Sequence, residues 1–285
     1  MYNIRLRNED GDELSFNNIG ANFKIVEADG LYPPTATINT NESALIDGAM
    51  FNGSKVNMRT IKLAFTIESD AENNRALVYK VLRVKDPVTL LYTSDTRDVY
   101  INGYVESLKI DHFAKKQVVT LTMLCPSPYF KKAQAVVNEL TTVIAMFHFP
   151  FASTETPELV FGKQDETAST TIYNDGTIST GFIIELYAKA SVADPKIYDY
   201  KTQEYIELDI DLEAGDLVTI NTNQGEKTVT LLREGVTTNI FNRVKPGSTW
   251  LQLPAGGGVY VFVVGTGSTT NLFVTFKHND LFEGV

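Results

Sequence analysis

Apolar residues recur at every second position through most of this 285-residue chain. Ile61, Leu63, Phe65 and Ile67 alternate with Lys62, Ala64 and Thr66, the cleanest such run of the first half. Successive side chains of a strand point to opposite faces, so one apolar phase of a period of two demands a sheet with one buried face. Ile4 and Leu6, then Leu14 and Phe16, flank the turn residues Asp10-Gly11 and predict a first hairpin. Residues 99–110 and 117–124 predict a second antiparallel pair, joined by a turn holding Asp111, His112, Lys115 and Lys116. One segment breaks the pattern. Ser69 and Glu72 form an S-x-x-E capping signal ahead of Leu77, Val78, Val81, Leu82 and Val84, which predicts a helix over Ser69–Val84 that ends before Asp86-Pro87. A weaker helix-like stretch runs from Ala133 to Glu139 after Lys131-Lys132.

Beyond residue 150 the period of two returns. Asn174-Asp175-Gly176 and Asn223-Gln224-Gly225 are turn signals, with Phe182-Ile184-Leu186, Leu217–Ile220, Val229–Leu231, Val259–Val264 and Leu272–Phe276 as strands. Strands about ten residues apart with no helix between them predict a β-sandwich. Pro126/Pro128 and Pro150/Pro157 bracket a boundary within 130–158. The expected division is a domain over 1–132, a linker over 133–157 and a sandwich over 158–285.

Charge supports the division. The chain holds 25 Lys+Arg and 35 Asp+Glu, a formal net of −10, and residues 1–132 hold 16 of each. The neutral first part can pack against copies of itself, whereas the acidic second part stays hydrated. A net negative chain is a poor duplex binder, because displacing counterions from phosphates takes Lys and Arg. A single cysteine, Cys125, excludes an internal disulfide framework and a cysteine zinc site. No apolar run approaches the roughly 18–20 residues of a membrane span, and the first residues turn acidic before any apolar stretch. The expectation is a soluble protein made in the cytosol.

Catalytic constellations are lacking. His112, His148 and His278 are scattered and read as polar surface or turn residues. No serine sits in G-x-S-x-G, and Gly265-Thr266-Gly267 reads as a turn rather than a phosphate cradle. Glu207, Asp209 and Asp211 alternate with Leu208, Ile210 and Leu212, so one strand face would carry three carboxylates. They are either Ca²⁺ ligands or a solvated face, and the second reading is preferred. Paired carboxylates alone are too weak a warrant for glycoside hydrolysis. The single Trp250 is either a sugar-stacking platform or a core residue. Asn41-Glu42-Ser43 and Asn52-Gly53-Ser54 match the glycosylation triplet by chance.

Leu124-Cys125-Pro126-Ser127-Pro128-Tyr129-Phe130 resembles the C-P-x-P-Y-F signature that closes the N-terminal domain of the distal tail proteins of long-tailed bacteriophages. Arg59–Phe65 followed by a short helix, the Asn174-x-Gly176 turn, Gly215–Thr222 and Trp250-x-x-Leu253-x-x-Gly256 resemble further segments of that family in the same order. Asn221 stands where the family more usually has Asp, and the usual Asn after Gly256 is absent.

The resemblance implies a mainly β fold: an N-terminal β-barrel or sandwich-like ring domain with one short helix, then a C-terminal galectin-like β-sandwich. It implies a structural protein of the virion tail tip, made in the host bacterial cytoplasm, without enzymatic activity, cofactor, metal or membrane insertion. Its copies would form a hexameric ring joining the tail tube protein to the tail-tip hub or tail-associated lysin. Receptor-binding proteins would be held outside, and DNA would only pass through the channel. The turn-rich segment from Gly20 to Asn57, with Pro33, Pro34, Gly48, Met50, Phe51 and Gly53, is the expected subunit or tube contact. Two alternatives stand beside this: a carbohydrate-binding module that contacts host cell-wall glycan through Trp250, and a tail-associated glycosidase.

Overall fold

The computed structural model describes residues 2–16, 21–43, 46–139, 143–145, 162–164 and 169–285. The chain divides into two compact units, Met1–Ala133 with Leu281–Val285, and Gln134–Asp280.

The first unit contains β1 (Asn3–Asn8), β2 (Glu13–Ser15), β3 (Phe23–Asp29), β4 (Ala36–Ser43), β5 (Ile46–Val56), β6 (Arg59–Ile67), α1 (Ala71–Val81), β7 (Pro87–Thr93), β8 (Asp98–Ile110), β9 (Val118–Cys125) and β10 (Phe130–Lys132). Its main sheet runs β2-β1-β7-β8-β9-β6-β3, and β10 joins β8 and the short strand Leu281–Phe282. Among the described residues the end strands of the path meet at a single bridge, Phe16 to Phe23, and no ladder between them closes the sheet into a barrel. The predicted hairpin pairs Leu6 with Leu14, and Ile61, Leu63 and Phe65 are fully buried. Phe16, Phe23 and Phe65 interlock edge-on, with centroids 4.8 Å apart for Phe16 and Phe65 and 5.9 Å for Phe23 and Phe65.

The helix differs from its sequence signal at both ends. Asp70 is the cap residue, in a left-handed conformation with φ 39°, and makes no side-chain cap bond. Ser69 Oγ instead donates to Asn22 Oδ1 at 2.8 Å, so the S-x-x-E pattern is used to tie the loop before β3. At the other end α1 stops at Val81, and Val84 is exposed rather than on the buried face.

In the second unit a six-stranded sheet has the order Val136–Glu139, Leu272–His278, Ile183–Ala188, Leu217–Asn221, Thr228–Arg233, Val236–Asn239. A four-stranded sheet has the order Ser169–Ile172, Gly258–Val263, Lys196–Asp199, Tyr205–Glu207. Ile184, Val218, Val229 and Phe276 of the larger sheet share one core cluster with Ile172, Ile197, Ile206 and Tyr260 of the smaller. Phe182 is at its centre, edge-on to Tyr260 at 5.0 Å and to Phe276 at 5.3 Å. Both faces of the sandwich thus follow from the alternation that predicts it.

Three expectations are corrected. The stretch 133–139 is not helical: Val136–Glu139 pairs with Leu272–His278, because a sheet edge offers its backbone partners that a four-residue helix cannot supply itself. The last five residues fall with the first unit, where Phe282 pairs with Phe130. Glu283 goes with them, so the formal charge divides as −1 against −9. Within the expected linker, Val143–Ala145 is a strand paired with Gly162–Gln164. Its residues 140–142 and 146–157, with Pro150, Pro157 and His148, lie outside the described residues.

Candidate assembly surface

The turn-rich segment from Gly20 to Asn57 holds β3, which joins the main sheet, and beyond it a long two-stranded ribbon. β4 and β5 pair from Ala36 with Val56 to Ser43 with Ile46, with register shifts at Asn39/Thr40 and Glu42/Ser43. Among the described residues neither strand joins another sheet. Met50 and Phe51 are each 66% exposed, and Ile38 and Val56 are exposed as well. Gly48 and Gly53 lie on β5 in open space. A two-stranded ribbon without a third strand or a core is marginal in water, and its unpaired edges invite pairing with another chain.

Its base, by contrast, is built rigidly. Pro33 and Pro34 fix the entry into β4. Thr37 Oγ1 donates to Asn57 Oδ1 at 3.0 Å where the hairpin leaves. Below it Arg59, only 3% exposed, distributes its guanidinium over four backbone carbonyls. Nε donates to Pro128 O at 2.7 Å, and Nη1 donates to Gly30 O at 2.6 Å and to Tyr32 O at 2.7 Å. Nη2 donates to Glu283 O, and the Phe130 ring lies 4.8 Å below the charge. Gly30 has φ +83°, and a Cβ there would sit 2.2 Å from Thr60 O, so the chain passes too close for any side chain. Gly30 N and the Tyr32 hydroxyl both bond the Asp29 carboxylate, the hydroxyl being the larger cause of its lowered pKa.

The motif Cys125–Phe130 therefore has a physical role. Cys125 pairs with Arg59 across the β6–β9 ladder, Pro128 supplies a carbonyl, and Phe130 supplies the ring. Burial pushes the Cys125 thiol up to about 12, so it is a packed side chain and not a nucleophile.

Motifs of the second unit are structural in the same way. Asn174, buried, donates to the carbonyls of Ile178, Leu253 and Pro254 and accepts from Gly176 N at 2.8 Å. Asp216, buried, accepts from Arg233 Nε at 2.9 Å and from Glu213 N at 2.8 Å. Arg233 is the main reason its pKa is lowered. Thr222 Oγ1 donates to Leu251 O at 2.8 Å and accepts from Phe182 N.

Trp250 packs against the core of the second unit, as the second of its two readings expects. It is half-buried against the core, stacked on Phe241 at 5.4 Å, with Lys227 Nζ 5.4 Å from its ring. The three carboxylates do not share one strand face. Glu207 ends the strand Tyr205–Glu207 and is engaged by Lys245 at 2.8 Å and Lys196 at 3.3 Å. Asp209 donates its amide to Arg243 O, and Asp211 starts a separate strand. The bridge from Leu208 to Val244 interrupts the ladder between them. Among the described residues no group of three or more His, Cys, Asp and Glu could hold a metal ion. His112 is exposed beside Tyr79, as expected of a turn residue. His278 is 3% exposed, with Asp280 at 3.3 Å, because strand register turns it into the sandwich. Gly265 and Thr266 both donate to Ala193 O and Thr266 bridges Ala193, so that segment is a bend tied to a distant strand.

Comparison with known proteins agrees with this division. Residues 10–125 match a family of phage tail proteins with a RIFT-related domain. Residues 175–279 match the C-terminal domain of siphovirus-type tail components. No curated protein matches the chain. Among solved structures, the Dit protein of phage SPP1, described as a paradigm of the hub adsorption apparatus in phages infecting Gram-positive hosts, superimposes with a TM-score of 0.66. It is 16% identical, over 98% of this chain and 99% of that one. A chain of the activated baseplate of phage P2 follows, at a TM-score of 0.52 and 12% identity over the full length of both. At such identities the likeness concerns the fold.

Proposed function

We propose that this chain, which belongs to the siphophage distal tail protein family and is a structural component of the phage tail tip, assembles into a closed hexameric ring. The observation that carries the reading is the β4–β5 hairpin. It has a rigid base at Arg59, no third strand among the described residues, and Met50 and Phe51 two-thirds exposed. A ring of identical subunits needs two different surfaces that complement each other around an axis, and a projecting hairpin reaching the next subunit provides one of them. The nearly neutral first unit is free of the repulsion that would oppose packing copies of it side by side. The ring would receive the tail tube on one side and the hub or lysin on the other, with receptor-binding proteins held by the acidic second units. The role is scaffolding and not enzymatic. DNA passes the neutral channel without being gripped, and synthesis takes place in the host cytoplasm.

The test is the mass of the full-length chain across a concentration series by multi-angle light scattering, with and without the tail tube protein. Wild type is expected to form discrete rings, and Met50→Asp/Phe51→Asp to remain monomeric with an unchanged melting temperature. Wild-type monomers under every condition, or rings undiminished in the double variant, would overturn the proposal.

A further inference from the structure

The chain contains two Asn-Gly pairs, Asn52-Gly53 and Asn102-Gly103, and the fold places them in opposite settings. In such a pair the next backbone nitrogen can attack the asparagine side-chain carbonyl carbon, and glycine has no Cβ to shield that nitrogen. Attack requires the asparagine backbone to leave the extended conformation, because a strand sends the side chain out of the sheet and the next nitrogen along its axis. What holds the backbone therefore decides whether the pair reacts.

Asn102-Gly103 is held on both sides, in β8 between β7 and β9. Asn102 pairs with Thr89 and its Oδ1 accepts from the Thr89 hydroxyl at 2.9 Å. Gly103 pairs with Val88 and is buried; a Cβ on it would sit 2.6 Å from Leu124 O and 2.9 Å from Cys125 Sγ. Turning this segment out of line would break the main sheet and open its core. Asn52-Gly53 is held on one side, and imperfectly. Gly53 pairs with Asn39 and Phe51 with Thr40, so Asn52 is the extra residue of a bulge, with nothing opposite it in the register. Asn52 is exposed, and Gly53 has φ +146° with open space where a Cβ would stand. Opening the backbone here disturbs only the β4–β5 ladder, and a two-stranded ribbon resists that weakly.

We infer that Asn52-Gly53 is a site of spontaneous covalent modification, from which the fold protects Asn102-Gly103. The Gly53 nitrogen gives its proton to hydroxide and attacks Asn52 Cγ. The N–Cγ bond forms, the Cγ–Nδ2 bond breaks, and Nδ2 takes a proton from water and leaves as ammonia. Water then opens the five-membered imide. Cleavage of the new N–Cγ bond gives aspartate, and cleavage of the original peptide bond gives isoaspartate. No electrons are exchanged, and the balance is one water consumed and one ammonia released. Both products place a new carboxylate beside Phe51, and isoaspartate also adds one carbon to the backbone of β5. The site is independent of whether the subunits form a ring.

The experiment is site-resolved peptide mass spectrometry of the full-length chain after incubation at pH 8 and 37 °C, with digestion at acidic pH so that nothing converts after sampling. Met50→Asp/Phe51→Asp is carried alongside wild type, so that contact between copies cannot hide the ribbon. In native protein Asn52 is expected to convert at least about tenfold faster than Asn102, to a mixture of aspartate and isoaspartate. In denaturant the two should convert at comparable rates, since only the fold separates them. Gly53→Ala should slow conversion of Asn52 in denaturant, where the backbone angle of the ribbon no longer matters and the added Cβ shields the nitrogen. Native conversion of Asn52 no faster than that of Asn102 in both proteins would overturn the inference. So would aspartate without isoaspartate, a difference that persists in denaturant, or a rate that Gly53→Ala leaves unchanged.

Discussion

Removing the Arg59 side chain tests whether the first unit is held from one point. Arg59→Ala takes away four donors and leaves the carbonyls of Gly30, Tyr32, Pro128 and Glu283 behind. The bond to Gly30 is buried, so that carbonyl would lose its partner without gaining water, at a cost of about 2 kcal/mol. The other three bonds are part-buried, and water can partly replace the guanidinium there. About 0.5 kcal/mol each is appropriate for these. The lost contact with Phe130 adds about 0.5–1 kcal/mol. The total is about 4 kcal/mol, which for a unit of this size lowers the melting temperature by roughly 15 °C. Calorimetry on the full chain reads this directly, because two compact units give two transitions. The transition of the first unit should fall and that of the second should stay. Arg59→Lys should recover less than half, since one ammonium with three donors cannot span four carbonyls from three segments. A fall below about 1 kcal/mol, an equal fall in both transitions, or full recovery by lysine would refute the reasoning.

Two further outcomes follow. Asp216, with a pKa lowered chiefly by Arg233, gives the second unit stability that is complete above the unfolded carboxylate range near 3.9 and is lost as pH falls through the lower folded value. Denaturant titrations at pH 6 and pH 3 should show this loss in wild type and a smaller one in Asp216→Asn; equal losses would show that the carboxylate is not the group responsible. Cys125, held at a pKa of about 12 by burial, should be inert to a thiol reagent at pH 8 in the native protein and react fully in denaturant. Rapid native labelling would mean that the β6–β9 ladder opens.

The sheets were legible because each buries one face within its own unit. Ile61–Ile67 and Phe182–Leu186 announce their partners by period alone, since the cost of exposing an apolar phase is the same wherever the strand lies. The helix was legible as an element but not at its ends. Ser69 and Asn22 are distant in sequence, and nothing local says that the serine hydroxyl would go there rather than to the helix. The return of Leu281–Val285 to the first unit was hidden for another reason. A two-residue strand carries no period, and its partners are the Arg59 guanidinium, which donates to Glu283 O, and the backbone of Phe130 and Lys131. Cys125–Phe130 could be recognised as a signature, but its purpose needs Arg59, a residue far upstream that no local pattern links to it.

The hairpin marks the limit of what alternation can reveal. In β4 and β5 both faces are exposed, so neither phase is selected for burial inside the subunit, and Met50 and Phe51 follow one another where a half-buried strand would alternate. Adjacent apolar residues on an isolated ribbon make sense if each face meets a different surface, as it would in a ring where one hairpin side lies on a neighbouring subunit and the other on the tube. The information that orders the segment then resides in another chain, and a period read from one chain cannot contain it. The residues least explained by the chain's own core are therefore the ones on which its outward contacts should depend.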